Sequence, residues 1–213
     1  MSRLCRPALV VLALTCGAGV GPADEVKSKE QAKSEPPGAP VEARLVAAKD
    51  TYTLDLGGQS AEDFRRQIQN ADATGRYPAA AKVDLVLELK NTSAKEVKLK
   101  VGGTQNVVRL DLRGPGAVSV VRKRRITPKF VMASKGQTLA PGKSYKVPVT
   151  SLAYGFKNSE VAYWTEPGTY TLRASYATAV APAPKGVQAD HDGFAAVKLI
   201  SAPIKIKVVQ RNK

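Results

Sequence analysis

Between Val83 and Val101 apolar residues recur at every second position: Val83, Leu85, Leu87 and Leu89 alternate with Asp84, Val86, Glu88 and Lys90, and Val97, Leu99 and Val101 with Lys98 and Lys100. Successive side chains of a strand point to opposite faces, so a period of two buries one face and wets the other. No other feature constrains the chain as strongly: it must build a sheet with one packed face. Asn91-Thr92-Ser93 between the two runs supplies the small polar residues of a hairpin loop, so the two strands are expected to pair.

The same reading extends along the chain. Val41 to Ala47, Thr51 to Leu56, Val107 to Leu112, Ala117 to Val121, Phe130 to Met132, Tyr145 to Val149, Tyr170 to Tyr176, Phe194 to Ser201 and Ile204 to Val209 are short β-prone runs. Gly102-Gly103, Gly114-Pro115-Gly116, Pro141-Gly142 and Pro167-Gly168 punctuate them as turns. One segment breaks the period. Ser60 with Asp63 three residues on forms an N-cap, Ala61, Phe64, Ile68 and Ala71 form a helical stripe, and Gly75 and Pro78 end it. The expected fold is therefore all-β, an antiparallel sandwich of about ten strands with one short inserted helix at about 60–74, within an insertion spanning 57–80 and packed as a lid on a sheet.

Three stretches carry a resemblance to known proteins: VDLVLELKNTSAKEVKLKV at 83–101, LAPGKSYKVPV at 139–149 and EPGTYTLRASY at 166–176. Together they resemble the immunoglobulin-like and fibronectin-type β-sandwiches of exported bacterial proteins, and their order is similar to that in the domain of the bacterial intracellular proteinase inhibitor. The resemblance covers about half of the chain and rests on turn chemistry shared by many sandwiches, so it implies an immunoglobulin-like fold and no particular activity. The 57–80 insertion and the N-terminal segment depart from the inhibitor pattern.

That N-terminal segment has the three-part layout of a secretory signal peptide: Arg3 and Arg6, an apolar run from Ala8 to Leu14, then small residues to Gly21-Pro22-Ala23. Residues 1–23 are expected to be removed and the protein exported, to a periplasm, cell surface or medium. Cys16-Gly17 offers a second reading, a lipoprotein signal acylated at Cys16, although Ala13-Leu14-Thr15 before it is a poor match to such signals. Residues 24–42, with three Pro and abundant charge, read as a solvated tether, leaving 43–213 for a single sandwich domain. Cys5 and Cys16 are the only cysteines, so this domain is expected to rest on its core with no disulfide.

The inventory excludes much chemistry. One His in 213 residues forbids His-pair metal centres, and a His-based triad would have to use His191. Asp190-His191-Asp192-Gly193 fails as a calcium loop, because its twelfth position would be Leu199, and reads as a polar loop tip. Asp55, Glu62, Asp63, Asp84, Glu88, Glu160 and Glu166 show no spacing that pairs them for acid and base catalysis, and phosphate-binding, dinucleotide and nucleophile-elbow motifs are absent from the sequence. The expectation is a non-enzyme with no metal and no cofactor, and carboxylate-dependent hydrolysis is the remote alternative.

Two clusters remain. Tyr154, Phe156, Tyr163, Trp164, Tyr170 and Tyr176 gather within 23 residues. Tyr170 and Tyr176 fall on the buried face of one strand, and Tyr170 after Pro167-Gly168 suits a tyrosine corner. Trp164 and Tyr163 are the candidates for an exposed carbohydrate-binding platform. The second cluster is charge. Residues 24–111 hold fourteen acids and fourteen bases, whereas 112–213 hold seventeen bases and four acids. Arg122, Lys123, Arg124 and Arg125, with Lys129 and Lys135, form the densest part and are expected in a loop. A surface of this kind attracts polyanions. The leading expectation is an envelope-associated binding or structural module whose partner is an anionic envelope polymer or lipid headgroups, not genomic nucleic acid.

Overall fold

A computed structural model describes residues 39–122 and 132–210. Among these, thirteen strands and one α-helix are numbered here in chain order. The first sheet joins β1 (Val41–Ala47), β3 (Lys82–Asn91) and β8 (Ser144–Ser151) in the order β1-β3-β8. A larger sheet runs β2 (Thr51–Leu54), β13 (Ile204–Gln210), β11 (Gly168–Ala181), β4 (Val97–Val101) and β7 (Lys135–Leu139), with β5 (Val108–Arg113) and β12 (Ala195–Ile200) also paired to β11. A third, small sheet joins β6 (Ala117–Val121), β10 (Glu160–Trp164) and β9 (Ala153–Tyr154). The protein is an all-β sandwich carrying the helix α1 (Ala61–Thr74). Its pairing is antiparallel except where β2 runs parallel to β13.

Alternation does what the sequence required of it. In β3, Leu85, Leu87 and Leu89 are buried while Asp84 and Lys90 face solvent; in β11, Tyr170, Leu172, Ala174, Tyr176 and Val180 are buried and Thr169, Arg173 and Ala177 are exposed. These two inner faces meet in one core with Val41, Ala43 and Leu45 of β1 and Leu110, Leu199 and Ile206 of the larger sheet. Each fully buried Leu or Ile contributes about 1.5–3 kcal/mol. A core of this extent holds the fold without a cross-link.

The expected pairing of the 83–91 and 97–101 strands is not found. β3 belongs to the first sheet and β4 to the second, so Asn91-Thr92-Ser93 opens a crossover between sheets and not a hairpin. The reason lies in Asn91, which is completely buried. Its Nδ2 donates to the carbonyls of Lys95 and Leu139, both at 2.8 Å, while its Oδ1 accepts from the Ser93 amide at 2.9 Å and the Ser93 hydroxyl at 2.8 Å. One side chain satisfies four polar groups where the chain leaves one sheet for the other.

The helix matches its sequence signals. Ser60 Oγ accepts from the Asp63 amide at 3.0 Å and donates to its carboxylate at 2.7 Å, and Gly75 ends the helix in the left-handed conformation at φ 67°. Phe64 and Ile68 pack on Val161 and Tyr163 of β10, so the insertion is a lid on the small sheet. Some boundaries shift. β1 begins at Val41, which is buried, so the last two residues assigned to the tether belong to the sheet. Of the expected Phe130 to Met132 strand only Met132 is described, and it is not in a strand. β7, β9 and β10 were not expected. β10 hides its signal because α1 covers one face and the core the other, which leaves no polar alternation in EVAYW.

Asn91→Ala leaves two carbonyls and the crossover turn without their partner. It is expected to lower the unfolding free energy, measured by urea denaturation, by about 2–4 kcal/mol, against less than about 1.5 for Ser93→Ala. Equal effects would remove Asn91 from its role at the crossover.

Candidate functional site

The aromatic cluster lies inside the molecule. Trp164 is 4% exposed and Tyr163 2%. As neighbours on β10 they point to opposite faces. Trp164 enters the main core, 5.6 Å from the Tyr52 ring and 6.1 Å from Tyr170, and Tyr163 turns toward the helix, edge-on to Phe64 at 5.8 Å, with its hydroxyl donating to the Pro78 carbonyl at 2.9 Å. Neither ring has a face free for a sugar to stack on, so the carbohydrate platform assigned to Trp164 and Tyr163 is corrected to two packing residues. A groove of 710 Å³ between α1 and β2 reaches Trp164, Tyr52 and Phe64 at its floor and has Lys49, Asp55, Gln59 and Lys82 on its walls. Its aromatic floor is nearly sealed from solvent.

Tyr170 is the tyrosine corner. Its hydroxyl is directed at the Glu166 carbonyl at 2.7 Å and also meets that of Pro115, tying the start of β11 to the Gly114-Pro115-Gly116 turn. Burial pushes its phenol up to about 12.

The carboxylates considered for catalysis are dispersed. Glu160 pairs with Arg109 at 2.7 Å, Glu166 with Arg65, Glu62 with Arg66 at 2.9 Å, and Glu88 with Lys146 at 3.3 Å. The Asp63 carboxylate accepts from the hydroxyl of the N-cap Ser60 at 2.7 Å and pairs with Arg66 at 3.3 Å, and Asp55 accepts from the Gly57 amide at 3.0 Å and is the one acid on the groove. Asp190 accepts from the amides of Asp192 and Phe194 at 3.0 and 2.8 Å, the Phe194 bond being the main cause holding its carboxyl below the usual value. His191 projects from that loop, and among the described residues there is no group of three His, Cys, Asp or Glu side chains placed to hold a metal.

The basic cluster divides. Lys123, Arg124, Arg125 and Lys129 lie outside the described residues, as does Cys16. Arg122 is half-buried: its guanidinium lies 5.4 Å over the Tyr77 ring, its Nε is buried, and its amide donates to the Ser159 carbonyl at 2.7 Å. It also sits beside the Tyr163 phenol, opposing the rise that burial causes there. Lys135 opens β7, an edge strand, and is not in a loop.

A different basic surface is assembled by the sheets. Strands of the larger sheet carry Lys98, Lys100, Arg109, Arg113, Lys135, Arg173, Lys198, Lys205 and Lys207, and a single acid, Asp111. Residues directly opposite in a ladder share a face, so the pairings Thr169↔Lys207, Thr171↔Lys205, Thr171↔Arg113, Ser175↔Arg109 and Ala177↔Lys198 put Lys207, Lys205, Arg113, Arg109 and Lys198 on the outside together with Arg173, whereas Lys135 lies opposite the buried Val101. The first sheet is opposite in character. There Glu42 faces Lys90, and Glu88 faces both Arg44 and Lys146, so its outer charges cancel across strands.

Ion pairs sharpen the contrast. Three of the four acids in the second half are taken by first-half bases, Glu160 by Arg109, Glu166 by Arg65 and Asp190 by Lys100 at 3.5 Å. Asp111 holds Arg113 at 3.0 Å. Lys98, Arg173, Lys198, Lys205 and Lys207 are exposed and have no ion-pair partner among the described residues. Sequence density pointed to Arg122 and its neighbours. The signal that finds the sheet face is finer: a base at alternate positions of strands far apart in sequence, as in VKLKV, RLDLR, VKL and IKIK.

No family model and no curated relative matches this chain. Among solved structures it is similar to the ASH / PapD-like domain of human CEP192 (PapD-like domain 7), at 13% identity over 97% of this chain and 100% of that one, with a TM-score of 0.25. An overlay this loose leaves the architecture resting on the sheets themselves.

Trp164 is the single tryptophan, so fluorescence reports its surroundings directly. Its emission is expected to resist acrylamide quenching and to stay unchanged with neutral oligosaccharides. Ready quenching, or a spectral shift with a neutral glycan, would restore the carbohydrate platform.

Proposed function

We propose that this chain is an exported, non-catalytic β-sandwich of the cell envelope that binds polyanions through the outer face of its larger sheet. The observation that carries this reading is the asymmetry between the two sheets: nine bases and one acid on the strands of one, four bases and three acids on the strands of the other. A face with several unpaired cations holds condensed or screening anions that a polyanion displaces, and the release of small ions drives binding. Separate pairing of the carboxylates supports the non-catalytic part. Export is supported by the Arg-flanked apolar run and small residues of 1–23.

Two triple variants remove equal charge from different faces. Lys198→Gln with Lys205→Gln and Lys207→Gln is expected to elute from heparin at clearly lower salt, with the slope of log affinity against log salt falling by about 2–3. Arg44→Gln with Lys90→Gln and Lys146→Gln, on the balanced sheet, is expected to leave the slope nearly unchanged. Identical shifts in both would reduce the effect to net charge and overturn the reading.

The export step has its own readout. Expressed from Met1 in a bacterial host, the protein is expected to be recovered outside the cytoplasm with a mass beginning at Asp24. A detergent-phase form beginning at an acylated Cys16 would establish the lipid anchor, and an intact chain in the cytoplasm would overturn export.

A further inference from the structure

We infer that the outer face of β11 is a track for an extended anionic polysaccharide lying along the strand; this rests on the polyanion reading and specifies its ligand. β11 is fourteen residues long and, among the described residues, is the one strand paired with four others, β13, β12, β5 and β4. Walking along its outward positions, a base stands on or beside every one from 169 to 177: Lys207 at Thr169, Lys205 and Arg113 at Thr171, Arg173 itself, Arg109 at Ser175 and Lys198 at Ala177; the one acid in the row, Asp111 opposite Arg173, is held by Arg113 at 3.0 Å. Lys98 follows beside Ala181. Outward positions recur every ~6.6 Å, so the row runs for ~40 Å.

The band is narrow. It consists of β11 and its immediate neighbours, a width of ~10 Å from two strand spacings. Beyond β13 lies β2, whose exposed residues Thr51 and Thr53 carry no charge. Adjacent strands are rotated by roughly 20–25°, so a row of this length winds with the sheet. A flexible linear polymer can follow such a line, whereas a planar bilayer touches only part of it.

The residues between the bases favour sugar. Thr169, Thr171 and Ser175 offer hydroxyls among the cations, and Ala177, Ala179 and Ala196 make a low apolar strip between Lys198 and Lys98, suited to the apolar face of a pyranose ring. No aromatic residue faces outward on β4, β5, β11, β12 or β13, and the nearest ring, Phe194 before β12, is half-buried under Lys100 at 4.4 Å, so the row of stacking platforms that grips single-stranded nucleic acid is not built here. Five of the bases, Lys98, Arg173, Lys198, Lys205 and Lys207, have no ion-pair partner among the described residues, and full occupation of the track would give a salt slope of about −4.

The test uses the full chain and size-fractionated heparin oligosaccharides from two to twenty sugars, with oligothymidylate and phosphatidylglycerol vesicles as comparators. Affinity is expected to climb with oligosaccharide length until the ligand spans the track and then to level off. Lys207→Gln and Lys98→Gln, at opposite ends, should each weaken the longest ligand about fivefold. A disaccharide that binds as tightly as the long chains would replace the track by a local site and leave the polyanion reading standing. Oligothymidylate binding as well as heparin of matched length, or vesicle binding without oligosaccharide binding, would also overturn the track in favour of nucleic acid or a lipid surface. Binding to none of the three would overturn the track and the polyanion reading together.

Discussion

The register of β11 is the constraint on which the rest of the structure depends. Its even-numbered residues, Tyr170 to Val180, are buried in the core, and its odd-numbered residues are the floor of the cationic face. Because the side-chain period is two, a slip of one residue would expose two tyrosines and a leucine and bury Arg173 at the same time. Four partner strands hold it in place. The tyrosine corner anchors its start, where Tyr170 bonds to the Glu166 carbonyl. Core packing and surface charge are thus two readings of one hydrogen-bond ladder.

Around that strand the remaining devices direct chain traffic. Asn91 turns the chain from one sheet into the other by satisfying four polar groups in a buried site. The helix closes the small sheet with Phe64 and Ile68, and Arg65 reaches from it to Thr165 at 2.8 Å and to Glu166, close to the start of β11. These contacts take up first-half bases and second-half acids together. The consequence is electrostatic as well as mechanical: three of the four carboxylates of the second half are spent on Arg65, Lys100 and Arg109, and the lysines of β12 and β13 have no ion-pair partner among the described residues.

Much of the fold was legible in the sequence wherever one face of an element is wet. Ser60, the Phe64-Ile68-Ala71 stripe and Gly75 define the helix because each acts locally, and β3, β4 and β11 announce themselves by alternation. β10 was illegible because both its faces are covered, and β7, KGQTL, because it carries too little apolar side chain to show a pattern. Asn91-Thr92-Ser93 misled for a different reason: its turn chemistry is real, but which strands pair is decided by partners tens of residues away. The site was half legible. Charge asymmetry pointed to the second half, while local density singled out Arg122, which stacks on Tyr77, and passed over lysines that are scattered in sequence and adjacent only across the ladders.

The central claim is therefore a statement about which lysines meet the ligand. Lysine acetylation of the native protein with and without saturating heparin, read residue by residue by mass spectrometry, addresses it in one experiment. Lys98, Lys198, Lys205 and Lys207 are expected to be protected, with Lys90 and Lys146 on the balanced sheet modified at unchanged rates. Protection confined to Lys123 and Lys129, or spread evenly over both sheets, would contradict the account.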